Sequence, residues 1–416
     1  MSVAASLAQV VEDQIGGDLP VHLTAWDGST AGPDDAPHVV LDSPDALRRM
    51  LWNPGELGAA QAYVTGELDV VGDLDAALTH VWNVVAQRGL RKVRITPRLL
   101  FDLTRLAITH RLIGPPKAPP ASQARVRGRL HSRARDRAAI SHHYDLSNDF
   151  YALILDEHMA YSSALFTSDD PGYTLADAQA DKLDRVCRNV GLDQLGPGAR
   201  LLDIGCGWGS LSLYAAHTYG TRVLGVTIAA EQKRFIDARI AERGLSDLVE
   251  IRVQDYREIP DTAFDAVSSI EMGEHVGQRN YPTYAKVLHD KVIPGGRICI
   301  QQMSRRAGNH PGGGPFIESF IAPDMYMRPV GDTIAMLADA GLDVTDVRHM
   351  AGDYVRTVDV WYETFEKNYD SVVGLVGEEV ARVWRLYLVG GRMAFRDGRM
   401  GVEQITMRRP APAATA

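Results

Sequence analysis

The stretch that decides the fold is Leu201-Leu202-Asp203-Ile204-Gly205-Cys206-Gly207-Trp208-Gly209. An apolar run leads into an acidic residue and a Gly-x-Gly-x-Gly turn, and a segment of helical character, Leu211 to Tyr219, follows. Nucleotide-binding α/β folds use this order of strand, tight turn and helix. Glycines allow positive φ angles and let the backbone come close to a ligand. The spacing differs from the Gly-x-Gly-x-x-Gly of dinucleotide-binding proteins, and a purely structural turn is the alternative.

The length and the cysteines set the broad class of protein. With 416 residues, the chain exceeds the roughly 250–300 residues at which single cores stop growing, so two domains are expected. The N-terminus has no basic start and carries Glu12, Asp13 and Asp18, which argues against a signal peptide. No apolar run reaches the roughly 18–20 residues that span a bilayer. The 3 cysteines are far apart, so we expect a cytoplasmic protein with neither a disulfide nor a bound metal.

The charge of the chain is strongly uneven. The net charge is −9, but residues 88–137 contain 14 Lys and Arg against 2 acidic residues. A basic block of this kind attracts phosphate-rich surfaces. Apolar residues such as Leu99, Phe101 and Ile108 are interspersed, which suits a membrane surface better than a nucleic-acid groove. We therefore expect a membrane and no nucleic acid as the partner, and a solvated basic linker is the alternative.

Three regions are predicted along the chain. Residues 1–113 read as a small α+β domain that contacts lipid, with a strand at 39–41 and helices at 44–51, 57–65 and 74–85. Residues 114–138 form a basic, proline-rich linker. In residues 139–410 strands alternate with helices. The strands are expected at Arg200–Ile204, Arg222–Thr227, Val249–Val253, Phe264–Ile270, Arg297–Gln302 and Asp343–His349, and the helices at Leu211–Tyr219, Ala230–Glu242, Tyr281–Lys291 and Val330–Ala340.

This alternation predicts an α/β fold with a doubly wound, mostly parallel sheet. Ligands of such sheets bind at the carboxyl ends of the strands. Four segments should therefore surround one crevice: Asp203–Gly209, Thr227–Gln232, Gln254–Tyr256 and Ile270–His275.

Many short motifs in a fixed order carry a resemblance to a known family. They include His143-Tyr144-Asp145, Met159-Ala160-Tyr161-Ser162, Leu202–Gly209, Gly225-Val226-Thr227-Ile228, Gln254-Asp255-Tyr256-Arg257 and Glu271-Met272-Gly273-Glu274-His275-Val276-Gly277, followed by Phe316, Tyr354, Trp361 and Phe395. Over roughly 140–408 the chain resembles the cyclopropane-fatty-acid-phospholipid synthase family, which includes mycolic-acid methyltransferases. The N-terminal domain looks like the extra domain of the longer, phospholipid-acting members.

The resemblance implies a Rossmann-like class I methyltransferase fold and S-adenosylmethionine as cofactor. Gly205 and Gly207 would hold the cofactor at the turn, and Tyr161 and Ser162 would cover its methionine end. The remaining cofactor-binding residues that the resemblance implies are Asp203, Thr227, Ile228, Gln232, Gln254, Asp255, Tyr256 and Ile270.

The resemblance also implies transfer of a methyl group to a cis double bond of an acyl chain. Glu274 is the first choice for a catalytic residue, together with Tyr354. The family holds bicarbonate as a base with a Cys and a His, but this chain has Ser163 and Gln301 there, which puts bicarbonate binding in doubt. Because the base site is altered, we expect a methylene-branched product, with a cyclopropane ring as the alternative.

The expected substrates are acyl chains of phospholipids at the inner face of the membrane. Two other functions are weighed against this one. The first is methylation of a soluble small molecule, and the second is lipid binding by an inactive methyltransferase fold. The retained Asp203, Gly205, Gly207 and Glu274 argue against the second. A homodimer is left open by the sequence.

Overall fold

The computed structural model describes residues 2–89, 97–110, 112, 114–126, 128–132, 135–136 and 147–412, with the backbone alone at 99, 100 and 103. The described chain divides into a first unit, Met1–Gln123 with Gly377–Val389, and a second unit, Ala124–Val376 with Gly390–Ala416. These boundaries differ from the predicted ones, because residues 114–123 of the expected linker belong to the first unit. The motif at His143-Tyr144-Asp145 lies outside the described residues.

The first unit contains a small sheet covered by helices. Its strands are β1 (His22–Thr24), β2 (Thr30–Ala31), β3 (His38–Leu41) and β4 (Leu68–Val71), in the order β2-β1-β3-β4. Its described helices are α1 (Val3–Ile15), α2 (Pro44–Trp52), α3 (Glu56–Val64), α4 (Leu74–Gln87) and α5 (Pro97–Thr109). Helix α2 starts as its sequence predicts, because the Ser43 hydroxyl accepts a hydrogen bond from the Asp45 N–H at 3.1 Å. Leu7, Leu23, Leu47 and Leu106 pack in the core.

A segment from far along the chain completes the first unit. Arg382 lies in the helix Glu378–Arg396, and its guanidinium stacks on the Tyr63 ring at 4.2 Å. It donates to the carbonyl oxygens of Tyr63 at 2.6 Å and Leu68 at 3.0 Å, and to the Asp69 carboxylate at 2.9 Å. A domain boundary drawn in chain order misses this contribution.

The second unit contains the predicted doubly wound sheet. Its strands are β5 (Arg200–Ile204), β6 (Arg222–Thr227), β7 (Val249–Val253), β8 (Phe264–Ile270), β9 (Val292–Arg305), β10 (Asp343–His349) and β11 (Met400–Arg408), in the order β10-β11-β9-β8-β5-β6-β7. Strands β5 to β9 pair in parallel, and β11 pairs antiparallel with β9 and β10. Successive residues such as Leu201 and Leu202 enter two different cores, because neighbouring side chains point to opposite faces.

Helices cover this sheet and carry part of the site. The described ones are α6 (Asn148–Ile154), α7 (Leu175–Asn189), α8 (Leu192–Leu195), α9 (Ser210–Tyr219), α10 (Ala230–Glu242), α11 (Gly273–Val276), α12 (Tyr281–Lys291), α13 (Pro315–Phe320), α14 (Val330–Asp339), α15 (Ala351–Lys367) and α16 (Tyr369–Val376). The last helix, α17 (Glu378–Arg396), contributes its residues up to Val389 to the first unit and the rest to the second. Within the described ranges, no helix has the length and apolar character that a membrane crossing requires.

Candidate functional site

The turn after β5 depends on glycine at all three positions of the motif. Gly205, Gly207 and Gly209 have φ angles of 76°, 54° and 82°, in the left-handed region that disfavours other residues. A Cβ at Gly205 would lie 2.9 Å from the Met272 side chain, and one at Gly209 would lie 2.9 Å from Ile236. The turn therefore brings the backbone close to its neighbours and starts α9 directly behind it.

A cavity of 160 Å³ opens at the carboxyl ends of β5, β6 and β8. All twelve residues expected at the cofactor line this one cavity: Tyr161, Ser162, Asp203, Gly205, Gly207, Thr227, Ile228, Gln232, Gln254, Asp255, Tyr256 and Ile270. The strand ends bring these distant segments together, as a parallel sheet requires.

Two of the lining polar groups are held in fixed orientations. The buried Asp203 carboxylate accepts hydrogen bonds from the hydroxyls of Ser212 at 2.8 Å and Ser268 at 3.3 Å. Burial raises the pKa of Asp203 to about 6. The Thr227 hydroxyl donates to Gln232 Oε1 at 2.7 Å, so the amide nitrogen of Gln232 is left for the cavity.

Other polar atoms at the cavity have no partner, and they fit a polar ligand. Gln254 Oε1 and the Tyr256 hydroxyl are buried without a hydrogen bond to any described residue. A buried polar atom without a partner is costly, so ligand groups such as an adenine amine and ribose hydroxyls would satisfy them. These residues therefore fit the adenosine part of S-adenosylmethionine.

A lysine missed by the sequence analysis lines the same cavity. Lys182 is fully buried in α7, and its ammonium donates to the Ser162 hydroxyl at 2.8 Å. In the described part of the chain, no carboxylate lies within ion-pair distance of it. Burial lowers the pKa of Lys182 to about 8. An ammonium next to Ser162, at the expected methionine end, fits the carboxylate of S-adenosylmethionine. A helical lysine gives no signal in the sequence that it is buried.

The expected linker also contributes to the wall of the cavity. Asp136 lines it, and its carboxylate accepts a hydrogen bond from Arg257 at 3.1 Å. Arg257 also donates to both carboxylate oxygens of Asp255, at 2.7 and 2.6 Å. This ion-pair group fixes the loop after β7 at the Tyr256 side of the cavity.

Three of the four predicted catalytic residues converge on one carboxylate. Glu271 Oε1 accepts hydrogen bonds from the backbone N–H of Ser163 and from Gln301 Nε2, both at 2.8 Å. Glu271 Oε2 accepts one from the Tyr354 hydroxyl at 2.8 Å. The Ser163 hydroxyl donates elsewhere, to the Ala164 carbonyl at 3.0 Å. Glu271 itself also lines the cavity.

Glu274, the first choice for a catalytic residue, takes no part in these hydrogen bonds, and its catalytic role stays a prediction. Glu274 is buried in α11 outside the lining of the cavity, and its Oε2 has no hydrogen-bond partner among the described residues. Burial and the nearby charge of Glu271 raise the pKa of Glu274 to about 8. Glu271 comes directly after β8, so its place at a strand end is the signal that could have identified it.

Aromatic rings surround the Tyr354 side of the site. Tyr354, Val358, Trp361 and Phe365 recur at helical spacing along one buried stripe of α15. Trp361 lies 6.1 Å from the Tyr354 ring and 5.3 Å from the Tyr161 ring, and Phe395 lies 4.4 Å from Tyr354. Such rings can stabilise a cation through their faces and keep water away.

Comparisons with known proteins show which family this chain resembles. Residues 131–405 match the model of the family described as mycolic acid cyclopropane synthetase. The "Probable fatty acid methyltransferase Rv3720" of Mycobacterium tuberculosis is 36% identical over 98% of this chain and 95% of its own length. The "Tuberculostearic acid methyltransferase UfaA1" of the same species is 34% identical over 99% and 93%.

A solved structure has a similar fold. The mycolic acid cyclopropane synthase CmaA1, crystallised with S-adenosylhomocysteine and CTAB, is 29% identical with a TM-score of 0.60 over 65% of this chain and 98% of its own. The second unit thus has the fold of class I S-adenosylmethionine-dependent methyltransferases. The chain belongs to the mycolic acid cyclopropane synthetase family, whose members are S-adenosylmethionine-dependent lipid methyltransferases and cyclopropane synthases.

Proposed function

We propose that the protein methylates the cis double bond of phospholipid acyl chains and forms a methylene-branched product. The observation that carries this proposal is the altered base site, in which Ser163, Gln301 and Tyr354 bind the Glu271 carboxylate. The family pattern has a Cys and a His at two of these positions. A base placed differently against the reacting chain favours a different product.

S-adenosylmethionine supplies an electrophilic methyl group when bound. The glycine turn, Gln254 and Tyr256 would hold its adenosine part, and Lys182 would hold its carboxylate. The alkene is a weak nucleophile, so positioning and exclusion of water have to lower the barrier. The buried rings of Tyr354, Trp361 and Phe395 would surround the carbocation that the alkene becomes.

The carbocation has two outcomes, which differ in whether a hydride shift precedes the loss of the proton. Direct loss of a proton from the new methyl group closes a cyclopropane ring. A 1,2-hydride shift followed by loss of a proton from the same methyl group leaves an exocyclic methylene. A carboxylate anchored by three donors has a fixed position against the acyl chain, and we propose that in this position it accepts the proton after the shift.

The first unit supports a phospholipid substrate at a membrane surface. The family match begins at residue 131, which leaves the first unit for another role. On α5, Phe101, Thr104, Arg105 and Ile108 lie on one exposed face, and Phe101 is 66% exposed. Exposed apolar side chains among basic ones suit the interface of an anionic leaflet. We propose that the protein acts at the inner face of the membrane.

The test combines the purified protein, S-adenosylmethionine and anionic vesicles of an oleoyl phospholipid. We expect release of S-adenosylhomocysteine and, in the proton NMR spectrum of the lipid, the signals of an exocyclic methylene. Vesicles with saturated chains are the matched control and should give no release. Release without any change in the lipid, or activity on soluble acceptors only, would contradict the proposal.

A cyclopropane product is the second candidate. It is favoured by the likeness to the cyclopropane synthase CmaA1 in both fold and sequence. The two products have equal mass, so the NMR spectrum has to distinguish them. Signals of cyclopropane ring protons instead of exocyclic methylene protons would support this second candidate.

A further inference from the structure

We infer that Glu271 is the base that removes the proton, in the place where the family pattern would hold a bicarbonate ion; this inference rests on the proposed function. The protein would then carry its own carboxylate instead of recruiting an anion from solution.

The hydrogen bonds around Glu271 carry the inference. The resemblance assigned the positions of Ser163, Gln301 and Tyr354 to the binding of bicarbonate. All three donate to the two oxygens of the Glu271 side chain at 2.8 Å. A carboxylate and a bicarbonate ion present the same planar pair of oxygens, so one can replace the other in a set of fixed donors. With Glu271 in place, the donors are occupied.

The orientation of Gln301 is fixed by a second layer of contacts. Gln404 Nε2 donates to Gln301 Oε1 at 3.3 Å, which turns the Gln301 amide nitrogen toward Glu271. Gln404 Oε1 in turn accepts from Arg185 at 3.1 Å and from Asn189 at 3.0 Å. The donor of Gln301 is therefore held toward Glu271.

The backbone of Glu271 is a further independent observation. Its φ angle is 50°, in the left-handed region that favours glycine. Its N–H donates to the Gln301 carbonyl at 2.6 Å, which fixes the chain there. Strained non-glycine residues are frequent at functional sites, so this conformation supports a functional role for the Glu271 side chain.

The charges around the pair of glutamates decide which one can accept a proton. Burial raises the pKa of both carboxyls. Three donors and the Lys182 ammonium favour the charged form of Glu271. The like charge of Glu271 raises the pKa of Glu274, and the positive charge of Arg328 offsets this increase only in part. The charged form is thus better supported at Glu271, which has three donors and Lys182, than at Glu274.

The chemical step balances without another reactant. After the hydride shift, the bond between the methyl carbon and one of its hydrogens breaks. Its electron pair forms the exocyclic double bond, and the proton goes to a Glu271 oxygen. The neutral carboxyl then returns the proton to solvent, so the overall reaction releases one proton for each methyl group transferred.

The test uses two substitutions of Glu271 that differ in the space they leave. Glu271→Gly suits the left-handed backbone and empties the set of donors, whereas Glu271→Gln fills it with a group that cannot accept the proton. We expect the rate with oleoyl vesicles to fall about 10²–10⁴-fold in both. Added bicarbonate or formate should restore activity in Glu271→Gly and leave Glu271→Gln inactive. Wild-type protein should be equally active in carbonate-free buffer.

A binding measurement reads the same site without turnover. Carbon-13 bicarbonate should show line broadening in NMR with Glu271→Gly and none with wild type. Glu274→Gln is the matched control, and it should show neither bicarbonate dependence nor binding. Bicarbonate binding by wild type, or a Glu271→Gln variant of normal rate, would overturn the inference. Wild type that methylates no oleoyl lipid would instead refute the proposed function, because bicarbonate binding by the variants is measured separately.

Discussion

Replacing Lys182 with methionine should stabilise the free protein and weaken cofactor binding. The ammonium is fully buried, and its pKa falls from 10.5 to about 8 because burial disfavours the charge. At about 1.36 kcal/mol for each pKa unit, the charge costs the fold on the order of 3 kcal/mol. The folded pKa lies below the unfolded one, so this cost is complete below pH 8 and disappears as the pH rises above 10.5.

Methionine keeps the length of the side chain and removes the charge. We expect a net gain of about 1–2 kcal/mol in the free energy of unfolding at neutral pH, because the hydrogen bond to Ser162 is lost as well. The affinity for S-adenosylmethionine should fall by about 2–4 kcal/mol, roughly 30- to 900-fold, because its carboxylate would be buried without a cation. The opposite signs of the two changes are the feature to measure.

Urea unfolding and titration calorimetry give the two quantities. Wild-type affinity should fall as the pH rises through about 8, where the free ammonium loses its proton, and the variant should lack this dependence. Lys233→Met, at a half-exposed lysine paired with Asp237, is the matched control and should change neither quantity strongly. A destabilised Lys182→Met with unchanged affinity would refute the reasoning and make Lys182 a structural residue.

Three further predictions concern other parts of the molecule. Gly205→Val should weaken S-adenosylmethionine binding by at least about 2–3 kcal/mol through crowding and backbone strain, and near-normal affinity in calorimetry would contradict the assignment of the turn. Arg382→Met removes three hydrogen bonds of the first unit and should cost about 3–5 kcal/mol in urea unfolding; a loss below about 1 kcal/mol would contradict their importance. Phe101→Ser with Ile108→Ser should weaken flotation with anionic vesicles and leave cofactor affinity unchanged, whereas Leu195→Ser at another exposed position should not; equal flotation of all three proteins would count against the α5 surface.

The central sheet and its cavity could be predicted because local signals determine them. The strand at Arg200–Ile204 is an apolar run that ends in a glycine turn, and the structure has it at the predicted residues. The same is true of β6, β7, β8 and β10. Once these strands are parallel, their carboxyl ends have to meet. This geometric rule alone brings Asp203, Thr227, Tyr256 and Ile270 to one cavity.

The strand β11 was missed because its pattern is not that of an ordinary strand. It lies between β9 and β10, so both of its faces are buried, including Glu403, Gln404 and Thr406. Polar residues in a buried strand erase the alternation that predicts strands. The contribution of Arg382 to the first unit was missed for another reason, since no local pattern indicates a contact more than 300 residues away.

The choice between Glu271 and Glu274 depends on one backbone angle. The two residues are three apart and follow the same strand, so spacing alone allows either to face the cavity. The left-handed turn at Glu271 directs its side chain to Ser163 and Gln301 and places Glu274 in the next helix. A positive φ angle at a residue other than glycine is imposed by tertiary contacts, and the sequence alone does not predict these contacts.

The buried ionisable groups of the second unit lower its stability, which indicates that they are kept for function. Four ionisable side chains are fully buried: Lys182, Asp203, Glu271 and Glu274. Burial lowers the pKa of the lysine and raises the pKa of the three carboxyls, so it favours the neutral form of each. A core selected for stability alone would replace such groups with apolar ones of similar volume. Three of the four, Lys182, Asp203 and Glu271, line the cavity. The Lys182 ammonium would bind the carboxylate of the cofactor, and the Glu271 carboxylate would accept the proton. These costs therefore concentrate where methyl transfer and proton removal need charge, which is the pattern expected of an active methyltransferase rather than of an inactive lipid-binding fold.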